Sequence, residues 1–377
     1  MDVSVTLSRD LLQAEIATLL EALLTADAVL LDPRADVLHC QVDPAALDEF
    51  ETALATGLRG IGVAWDHSND AKTSLGTLYD SAEYVLTVQL AVDADFPPVA
   101  TLLREWDLEI RALRRLSPLS EEELAFEVYF SGPDRCTDYR GSLPTLSERW
   151  RVDINLTAAD IKRPRPRLFV FDMDSTLITC EVIDELAARA GVGDEVAAIT
   201  ARAMRGELDF KSSFRERMAK LRGLSAAALD DIAAELPIMP GAPELMKTLR
   251  AQGHHMVILS GGFDFFAERV RRELGMHEMH ANSLLVEDAE LTGEVLEPIV
   301  DGDRKVVLLE TLARERGFDL TDTVAVGDGA NDIPMLSRAG IGVAYRAKPL
   351  VREQTACSVN FADLTGLLYL LGVPRGS

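Results

Sequence analysis

The chain has 377 residues, of which 47% are hydrophobic, and its 62 acidic residues against 38 basic ones give a formal net charge of −24. This length predicts two or three domains, and the apolar fraction excludes global disorder. The acidic excess argues against nucleic acid or an anionic membrane as a partner.

The four cysteines are Cys40, Cys136, Cys180 and Cys357, which lie far apart and form no CxxC pair. They favour reduced thiols in the cytoplasm over a disulfide scaffold or a zinc site. The N-terminal sequence lacks a basic region followed by an apolar stretch, and no apolar run reaches membrane-spanning length. We therefore expect a soluble cytoplasmic protein.

The N-terminal part of the chain runs twice through a β-α-β-β-α-β pattern, over residues 1–78 and 79–160. The first copy predicts strands at 3–7, 28–32, 37–42 and 61–65 and helices at 11–24 and 44–58. The second predicts strands at 84–90, 124–130 and 151–156 and helices at 97–116 and 142–150, with the missing strand placed within 117–124.

This repeated pattern resembles tandem ACT-type domains, small ferredoxin-like α+β modules that often bind amino acids and dimerise. The glycine usual between the first strand and the first helix is absent, because this chain has Ser8-Arg9-Asp10-Leu11. Without it the backbone approaches a bound amino acid less easily. We therefore expect these domains to serve structure and homodimerisation rather than ligand binding.

A basic, proline-containing segment at 159–167 predicts a linker. Beyond it, strands predicted at 168–171, 255–259, 323–326 and 341–344 alternate with helices, which is typical of an α/β fold with a Rossmann-like parallel sheet. Residues 167–377 would form this domain. Residues 180–240 exceed a simple connection and predict an inserted helical cap, and the alternation at 282–295 predicts a hairpin.

The sequence FDMDST at 171–176 places Asp172 and Asp174 directly after an apolar strand. Residues two apart on a strand point the same way, so both carboxylates could face one pocket at the strand end, where open α/β sheets bind ligands. One carboxylate could attack phosphorus while the other handles a proton.

Three further motifs follow predicted strands or open a helix. Ser260-Gly261-Gly262 offers a hydroxyl and backbone N–H groups to phosphate, Lys305 offers a cation, and GDGAND at 327–332 offers the hard oxygens of Asp328 and Asp332. Taken singly, each of these motifs, like FDMDST before them, has an ordinary alternative. The alternatives are an acidic turn for FDMDST, a strand–helix turn for Ser260-Gly261-Gly262, a solvated lysine for Lys305 and a capped helix start for GDGAND. Their joint occurrence, in order, favours one phosphate-handling crevice.

With these motifs, residues 167–377 resemble the haloacid-dehalogenase superfamily, and within it the phosphoserine phosphatases. The resemblance implies that Asp172 is the nucleophile and Asp174 the general acid and base. It implies that Mg²⁺ is held by the carboxylates of Asp172 and Asp328 and the backbone carbonyl of Asp174. The same resemblance assigns phosphate binding to Ser260, Gly261 and Lys305, and supporting positions around phosphate and metal to Asn331 and Asp332.

The resemblance also implies that the cap selects the substrate. Met204, Phe210 and Arg217 would lie over the active site, with Arg217 pairing a substrate carboxylate. Glu181 would accept an α-ammonium group. Taken alone, Arg217 is an ordinary exposed helix charge.

The implied activity is Mg²⁺-dependent hydrolysis of a small-molecule substrate, O-phospho-L-serine, through an aspartyl-phosphate. Two alternatives stay open. One is a phosphotransferase, or a phosphatase for another small phosphomonoester such as phosphohomoserine. The other is an amino-acid-sensing regulatory protein, against which the complete set of carboxylates counts.

Overall fold

The computed structural model describes residues 2–7, 29–31, 37–41, 63–66, 82–91, 109–117, 123–131, 141–162, 165 and 167–373. The contacts divide the chain into two compact units, one comprising Met1–Pro164 with Thr365–Ser377 and the other Arg165–Leu364. The sequence assigned residues 365–377 to the C-terminal domain, whereas the contacts group them with the N-terminal unit. Within the described residues, no helix combines the length and apolarity needed to cross a membrane.

The first unit contains one eight-stranded sheet in the order β4–β1–β3–β2–β6–β7–β5–β8. Its strands are β1 (Asp2–Leu7), β2 (Val29–Leu31), β3 (Val37–Gln41), β4 (Val63–Asp66), β5 (Tyr84–Ala91), β6 (Glu109–Arg115), β7 (Glu123–Ser131) and β8 (Asp153–Ala158). All of its pairings are antiparallel. Because β2 pairs with β6, with Leu30 opposite Leu113, the two repeats share one continuous sheet.

The strands predicted in both repeats are found, each to within about two residues at its ends. The helix predicted over 97–116 is wrong at its end, where β6 (Glu109–Arg115) supplies the strand that was expected within 117–124. Pairing on both sides, to β2 and β7, outweighs the helical propensity of its Glu, Ala, Leu and Arg residues. The helices predicted at 11–24 and 44–58 lie outside the described residues, so the ACT-type assignment stays a prediction.

After β7, helix α1 (Leu143–Trp150) agrees with the helix predicted at 142–150. The predicted linker at 159–167 is wrong at its start, because Ala159–Lys162 form a 3₁₀ helix that packs into the first unit. Lys162 is buried there and lies 2.8 Å from Glu127, another buried residue. Lys162, part of the basic segment in the sequence, is therefore buried in an ion pair instead of being a solvated charge.

The same Lys162 ammonium ties the C-terminal helix (Gly366–Leu370) to the first unit. It donates to the carbonyls of Tyr369 at 3.2 Å and Leu370 at 2.8 Å, and to the Thr87 hydroxyl at 2.7 Å. A cation at a helix C-terminus satisfies carbonyls that have no partner within the helix. These bonds explain why the last residues belong with the N-terminal sheet.

The second unit is built on a six-stranded parallel sheet in the order β11–β10–β9–β14–β15–β16. Its strands are β9 (Leu168–Phe171), β10 (His255–Phe263), β11 (Glu278–Asn282), β14 (Thr323–Gly327), β15 (Ile341–Tyr345) and β16 (Cys357–Val359). A separate hairpin joins β12 (Leu284–Glu287) to β13 (Glu290–Val295). The predicted Rossmann-like parallel sheet and the hairpin are confirmed, and β11 and β16 extend the sheet beyond the four predicted strands.

Helices connect these strands. They are α2 (Val182–Arg189), α3 (Gly193–Met204), α4 (Phe210–Lys220) and α5 (Ala227–Glu235), then α6 (Ala242–Ala251), α7 (Asp264–Leu274), α8 (Gly302–Arg316), α9 (Ile333–Arg338) and α10 (Pro349–Gln354). Short 3₁₀ turns lie at Leu320–Asp322 and Ala330–Asp332. Helices α2 to α5 thus lie within residues 180–240, and their role as a cap stays a prediction.

The central strand β9 sets the position of everything at the sheet edge. All four of its residues are fully buried, as expected for a parallel strand covered on both faces. Phe171 pairs with Ile258 on one side and Val326 on the other. The segments that follow these residues therefore leave the sheet side by side, at the carboxyl edge.

His254 is a buried histidine held in its neutral form just before β10. Its Nδ1 accepts a hydrogen bond from the Arg167 backbone N–H at 3.1 Å, so a proton on Nδ1 would oppose a donor. Burial, with a further contribution from Arg167, lowers its pKa from 6.5 to about 4. The unfolded chain then binds the extra proton more readily between these two pH values.

We predict that this histidine makes the protein less stable in mild acid. Relative to neutral pH, titration of His254 lowers the free energy of unfolding as the pH falls from 6.5 toward 4. At pH 5 this loss is about 2 kcal/mol. His254→Asn keeps an acceptor near Nδ1 but cannot titrate. Urea unfolding at pH 7.5 and pH 5 should show a smaller loss for the variant than for the wild type, and equal losses would contradict the assignment.

Candidate active site

Asp172 lies at the end of the central strand. Its backbone N–H donates to the carbonyl of Val326 at 2.9 Å, so the ladder to β14 continues one residue past β9. Its Oδ1 accepts a hydrogen bond from the Met173 N–H at 2.8 Å and lies 2.9 Å from Lys305 Nζ. One oxygen of the Asp172 carboxylate is thus held by both a backbone N–H group and the Lys305 ammonium.

Lys305 is completely buried in the first turn of α8, unlike an ordinary solvated lysine. The helix is capped by Asp301, whose side chain accepts from the Arg304 N–H at 2.9 Å. Lys305 Nζ lies 2.6 Å from Asp332 Oδ1 as well as against Asp172. Burial alone would lower the pKa of Lys305, but these two carboxylates raise it above its usual value, so the ammonium stays charged.

Asp172, Asp328 and Asp332 each offer a carboxylate oxygen, and these oxygens lie within 4.8 Å of one another. Burial raises the pKa of Asp172 well above its usual value, with Asp332 adding to the shift. Burial, together with Asp332, also raises the pKa of Asp328 to about 7. One lysine does not neutralise three crowded carboxylates, so the cluster favours a bound cation.

The donor set fits a divalent metal ion such as Mg²⁺. All three side chains present hard oxygens, and ligands on opposite sides of Mg²⁺ stand about 4 Å apart. Asp332 accepts from Lys305 on Oδ1 and from the Gly329 N–H on Oδ2, at 3.0 Å. Since both of its oxygens already have donors, Asp172 and Asp328 are the better ligands and Asp332 the supporting residue.

Asp174 lies two residues beyond Asp172, in the turn that follows β9. Its Oδ1 accepts from the Val182 N–H at 3.3 Å. Burial, then the nearby charge of Glu181, raises the pKa of Asp174 to about 8. A carboxyl group with this pKa carries its proton at neutral pH, which suits a general acid.

Glu181 is exposed and occupies the N-cap position of α2 without a side-chain capping bond. Its Oε1 accepts from the Ser175 hydroxyl at 2.9 Å. Ser175 has a φ of 56°, a left-handed conformation that is uncommon for a serine and recurs at functional sites. This hydrogen bond ties the Glu181 carboxylate to the turn that follows Asp174.

Ser260 is buried and Gly261 half-buried in a turn where β10 departs from the regular ladder. The Ser260 hydroxyl accepts from the Gly262 N–H at 2.9 Å. A Cβ at Gly261 would lie 3.2 Å from Phe210 Cζ, and one at Gly262 would lie 2.7 Å from Asp174 Oδ2. The turn thus passes close to Phe210 and Asp174, and a side chain on either glycine would require these neighbours to shift.

Arg217 lies in α4, with its Nε buried and without a hydrogen-bond partner among the described residues. Burial lowers its pKa, against the attraction of Asp184, Glu181 and Asp174. A half-buried guanidinium with an unused buried donor, attracted by Glu181 and Asp174, is suited to an anionic group of a ligand. The plain alternative of an exposed helix arginine does not hold.

Met204 and Asn331 belong to the predicted site but differ from its other residues in their surroundings. Met204 ends α3 with 69% of its surface exposed, so in this conformation it does not cover a ligand site. Asn331 is half-buried in the turn before α9, and its backbone carbonyl abuts Gly302 at the start of α8. The remaining predicted residues converge on the carboxyl edge of the sheet.

Two contacts at this edge were not predicted. The Asn282 side chain bonds to Gly261 and Val300. Lys211, at the start of α4 in the predicted helical cap, lies 3.0 Å from Asp301, the N-cap residue of α8. A polar residue ending a strand is the only signal in the sequence for Asn282. For Lys211 the sequence offers no signal, since α4 and the start of α8 come together only in the folded chain.

Comparison with known proteins agrees with this geometry. Residues 169–337 match the family model of haloacid dehalogenase-like hydrolases. A phosphoserine phosphatase of Streptomyces coelicolor is 47% identical over 236 residues, which are 63% of this chain and 58% of that relative. A phosphoserine phosphatase of Mycobacterium tuberculosis is 38% identical over 349 residues, which are 90% of this chain and 83% of that relative.

Among solved structures, the phospho-aspartyl intermediate analogue of a phosphoserine phosphatase superposes with a TM-score of 0.52 at 39% identity, covering 55% of this chain and 99% of that one. The parallel sheet, the carboxylate cluster and the family match define a haloacid dehalogenase-like hydrolase. The extended similarity to the mycobacterial relative is more specific. The chain belongs to the phosphoserine phosphatase family of these hydrolases.

We predict that the carboxylate cluster binds one divalent cation. Calorimetric titration with Mg²⁺ should show a single site, and Asp328→Asn should weaken it at least about tenfold because a charged ligand is lost. Asp231→Asn removes an equal charge from an exposed position, paired only loosely with Arg189, and serves as the control. Equal affinities in the two variants would show that the cluster does not hold the ion.

Proposed function

We propose that the chain hydrolyses O-phospho-L-serine to L-serine and phosphate with the help of Mg²⁺, a step that would complete serine biosynthesis. The observation that carries this proposal is the buried Asp172 carboxylate, held by Lys305 beside Asp328 at the carboxyl edge of the sheet. The names of the similar phosphatases support the substrate.

In this mechanism Asp172 attacks the phosphorus atom. The bond between its carboxylate oxygen and phosphorus forms while the bond from phosphorus to the seryl oxygen breaks, and Asp174 gives its proton to that oxygen. Its pKa of about 8 keeps this proton available at neutral pH. The similar structure of a phospho-aspartyl intermediate analogue supports the covalent route.

Asp174, now ionised, then accepts a proton from the water that attacks the aspartyl-phosphate, which releases phosphate and restores Asp172. Ser260, the Gly261 N–H and Lys305 bind the non-bridging oxygens as charge moves onto them. Asn331 and Asp332 support this arrangement, and Asp332 holds Lys305 in place. Bound by Asp172, Asp328 and the Asp174 carbonyl, Mg²⁺ would offset the negative charge of ester and carboxylates.

The cap would select the amino-acid part of the substrate. Arg217 brings an unpaired buried donor for the α-carboxylate, and Glu181 brings a carboxylate for the α-ammonium group. Phe210 closes the pocket over Gly261. Met204 would contribute only after a movement that brings its exposed side chain inward.

The direct test is release of inorganic phosphate from phosphoserine with Mg²⁺ and with EDTA. We expect turnover only with the metal. Asp172→Asn should lower the rate at least about a thousandfold, because an amide cannot form the acyl phosphate. Asp231→Asn should keep the wild-type rate. No release under either condition would favour an amino-acid sensor over an enzyme.

A second prediction concerns the substrate carboxylate. Arg217→Ala should lower kcat/KM for phosphoserine roughly 10- to 150-fold, the usual worth of a charged hydrogen bond, and change it little for p-nitrophenyl phosphate. Arg222→Ala, at a 65% exposed side chain near the end of the same helix, is the matched control. Similar losses on both substrates would mean that Arg217 does not read the carboxylate.

Homodimerisation through residues 1–160 and a location in the cytoplasm remain further proposals. The continuous eight-stranded sheet of the N-terminal unit supports a structural role for this part of the chain. Light scattering on the full-length protein tests the first of them, since it distinguishes a mass of one chain from that of two.

A further inference from the structure

Asn282 is a buried amide whose two ends bond to two different parts of the site. It ends β11 and is 3% exposed. Its Nδ2 donates to the carbonyl of Gly261 at 2.9 Å, and its Oδ1 accepts from the backbone N–H of Val300 at 2.8 Å. One carbonyl and one N–H as partners fix which end of the amide carries the oxygen.

The first partner belongs to the turn proposed to bind phosphate. Leu259 pairs with His280 and Phe263 with Asn282, so β10 advances four residues while β11 advances two. The intervening Ser260-Gly261-Gly262 backbone therefore bulges out of the regular ladder. The Asn282 side chain supplies a hydrogen bond to this bulge where the ladder is interrupted.

The second partner leads directly to Lys305. Val300 precedes Asp301, the N-cap of α8, and the backbone N–H of Lys305 donates to the Asp301 carbonyl at 2.9 Å. The position of Val300 thus sets where the helix begins and where its first turn places the lysine. Asn282 is the described side chain that bonds to both the turn and this helix start.

We propose that Asn282 is a positioning residue that sets the distance between the Ser260–Gly261 turn and Lys305. This inference rests on the proposed function, in which the two elements bind oxygens of the same phosphoryl group. They come from distant parts of the sequence, so their spacing needs a direct link. Small errors in such spacing are costly, since a displacement of about 1 Å can reduce a rate about a hundredfold.

No other side chain of similar size makes both bonds. Aspartate keeps the acceptor for Val300 but sets a second oxygen against the Gly261 carbonyl, and leucine offers neither donor nor acceptor. Serine is uncharged but too short to reach both partners. Asn282→Asp and Asn282→Ser therefore remove the link in different ways, one by charge and one by length.

The test measures kcat and KM for phosphoserine and p-nitrophenyl phosphate, and the inhibition constant of orthovanadate, in the wild type and both variants. We expect kcat on both substrates to fall roughly 10- to 100-fold and vanadate to bind more weakly by a similar factor. KM for phosphoserine should change less than about threefold, because Arg217 and Glu181 are untouched. Asn360→Asp is the control, since Asn360 follows β16 and donates to Ser358 at 3.2 Å.

Circular dichroism and thermal melting establish that each variant is folded. A folded variant with wild-type kcat and vanadate affinity, whatever its melting temperature, would overturn the inference. So would failure of both variants to fold, since the residue would then serve stability. A wild type that binds vanadate and hydrolyses only p-nitrophenyl phosphate would refute the proposed substrate, while Asn282 would still be judged on the other two readouts. A wild type without either property would end both proposals.

Discussion

The buried ammonium of Lys305, bonded to Asp172 and Asp332, is the interaction on which the rest of the site depends. Removing these charges from water costs several kcal/mol for each ion, and only close contacts of opposite sign offset that cost. The balance is incomplete, because Asp328 adds a third carboxylate within reach of the other two. An excess of negative charge is thus built into the centre. Such a centre favours a divalent cation, and with the cation bound it can accept a phosphate ester.

The sheet makes this crowding possible. Asp172 follows β9, Asp328 follows β14 and the Ser260 turn lies near the end of β10, and the pairing of Phe171 with Ile258 and Val326 brings these positions level. β9 is fully buried and paired on both sides, so a group placed directly after it is held by the packed sheet. In the proposed function, the helices within residues 180–240 would add groups that recognise the substrate rather than react with it. Phe210 contacts the glycine turn, and Lys211 beside it pairs with the residue that caps the lysine helix.

Much of this architecture could be predicted from the sequence, because apolar runs followed by Asp, Ser-Gly-Gly or Gly-Asp mark strand ends in parallel sheets. The exceptions have physical reasons. Glu109–Arg115 has helix-forming residues but pairs with strands on both sides, and pairing is a tertiary property. Lys162 looks like part of a basic linker until a buried Glu127 is placed beside it. For Asn282 the only local signal is a polar residue at a strand end, and its role cannot be predicted from that, since its partners are separated from it in sequence by 21 and 18 residues. The burial of Arg217 and the exposure of Met204 depend on how the cap packs.

The net charge of −24 makes the choice of an anionic substrate a problem that only local structure can solve. At the ionic strength of a cell, charges beyond about 8 Å are largely screened, so the distant acidic residues matter less than those lining the crevice. There, Arg217 keeps a buried donor unsatisfied and Lys305 is already occupied by two carboxylates. Binding of a carboxylate at Arg217 would relieve the first deficit, and a cation between Asp172 and Asp328 would free Lys305 to share its protons with phosphate. The unsatisfied groups of the site are therefore those that the proposed substrate, a zwitterionic phosphate ester, would satisfy together with its metal.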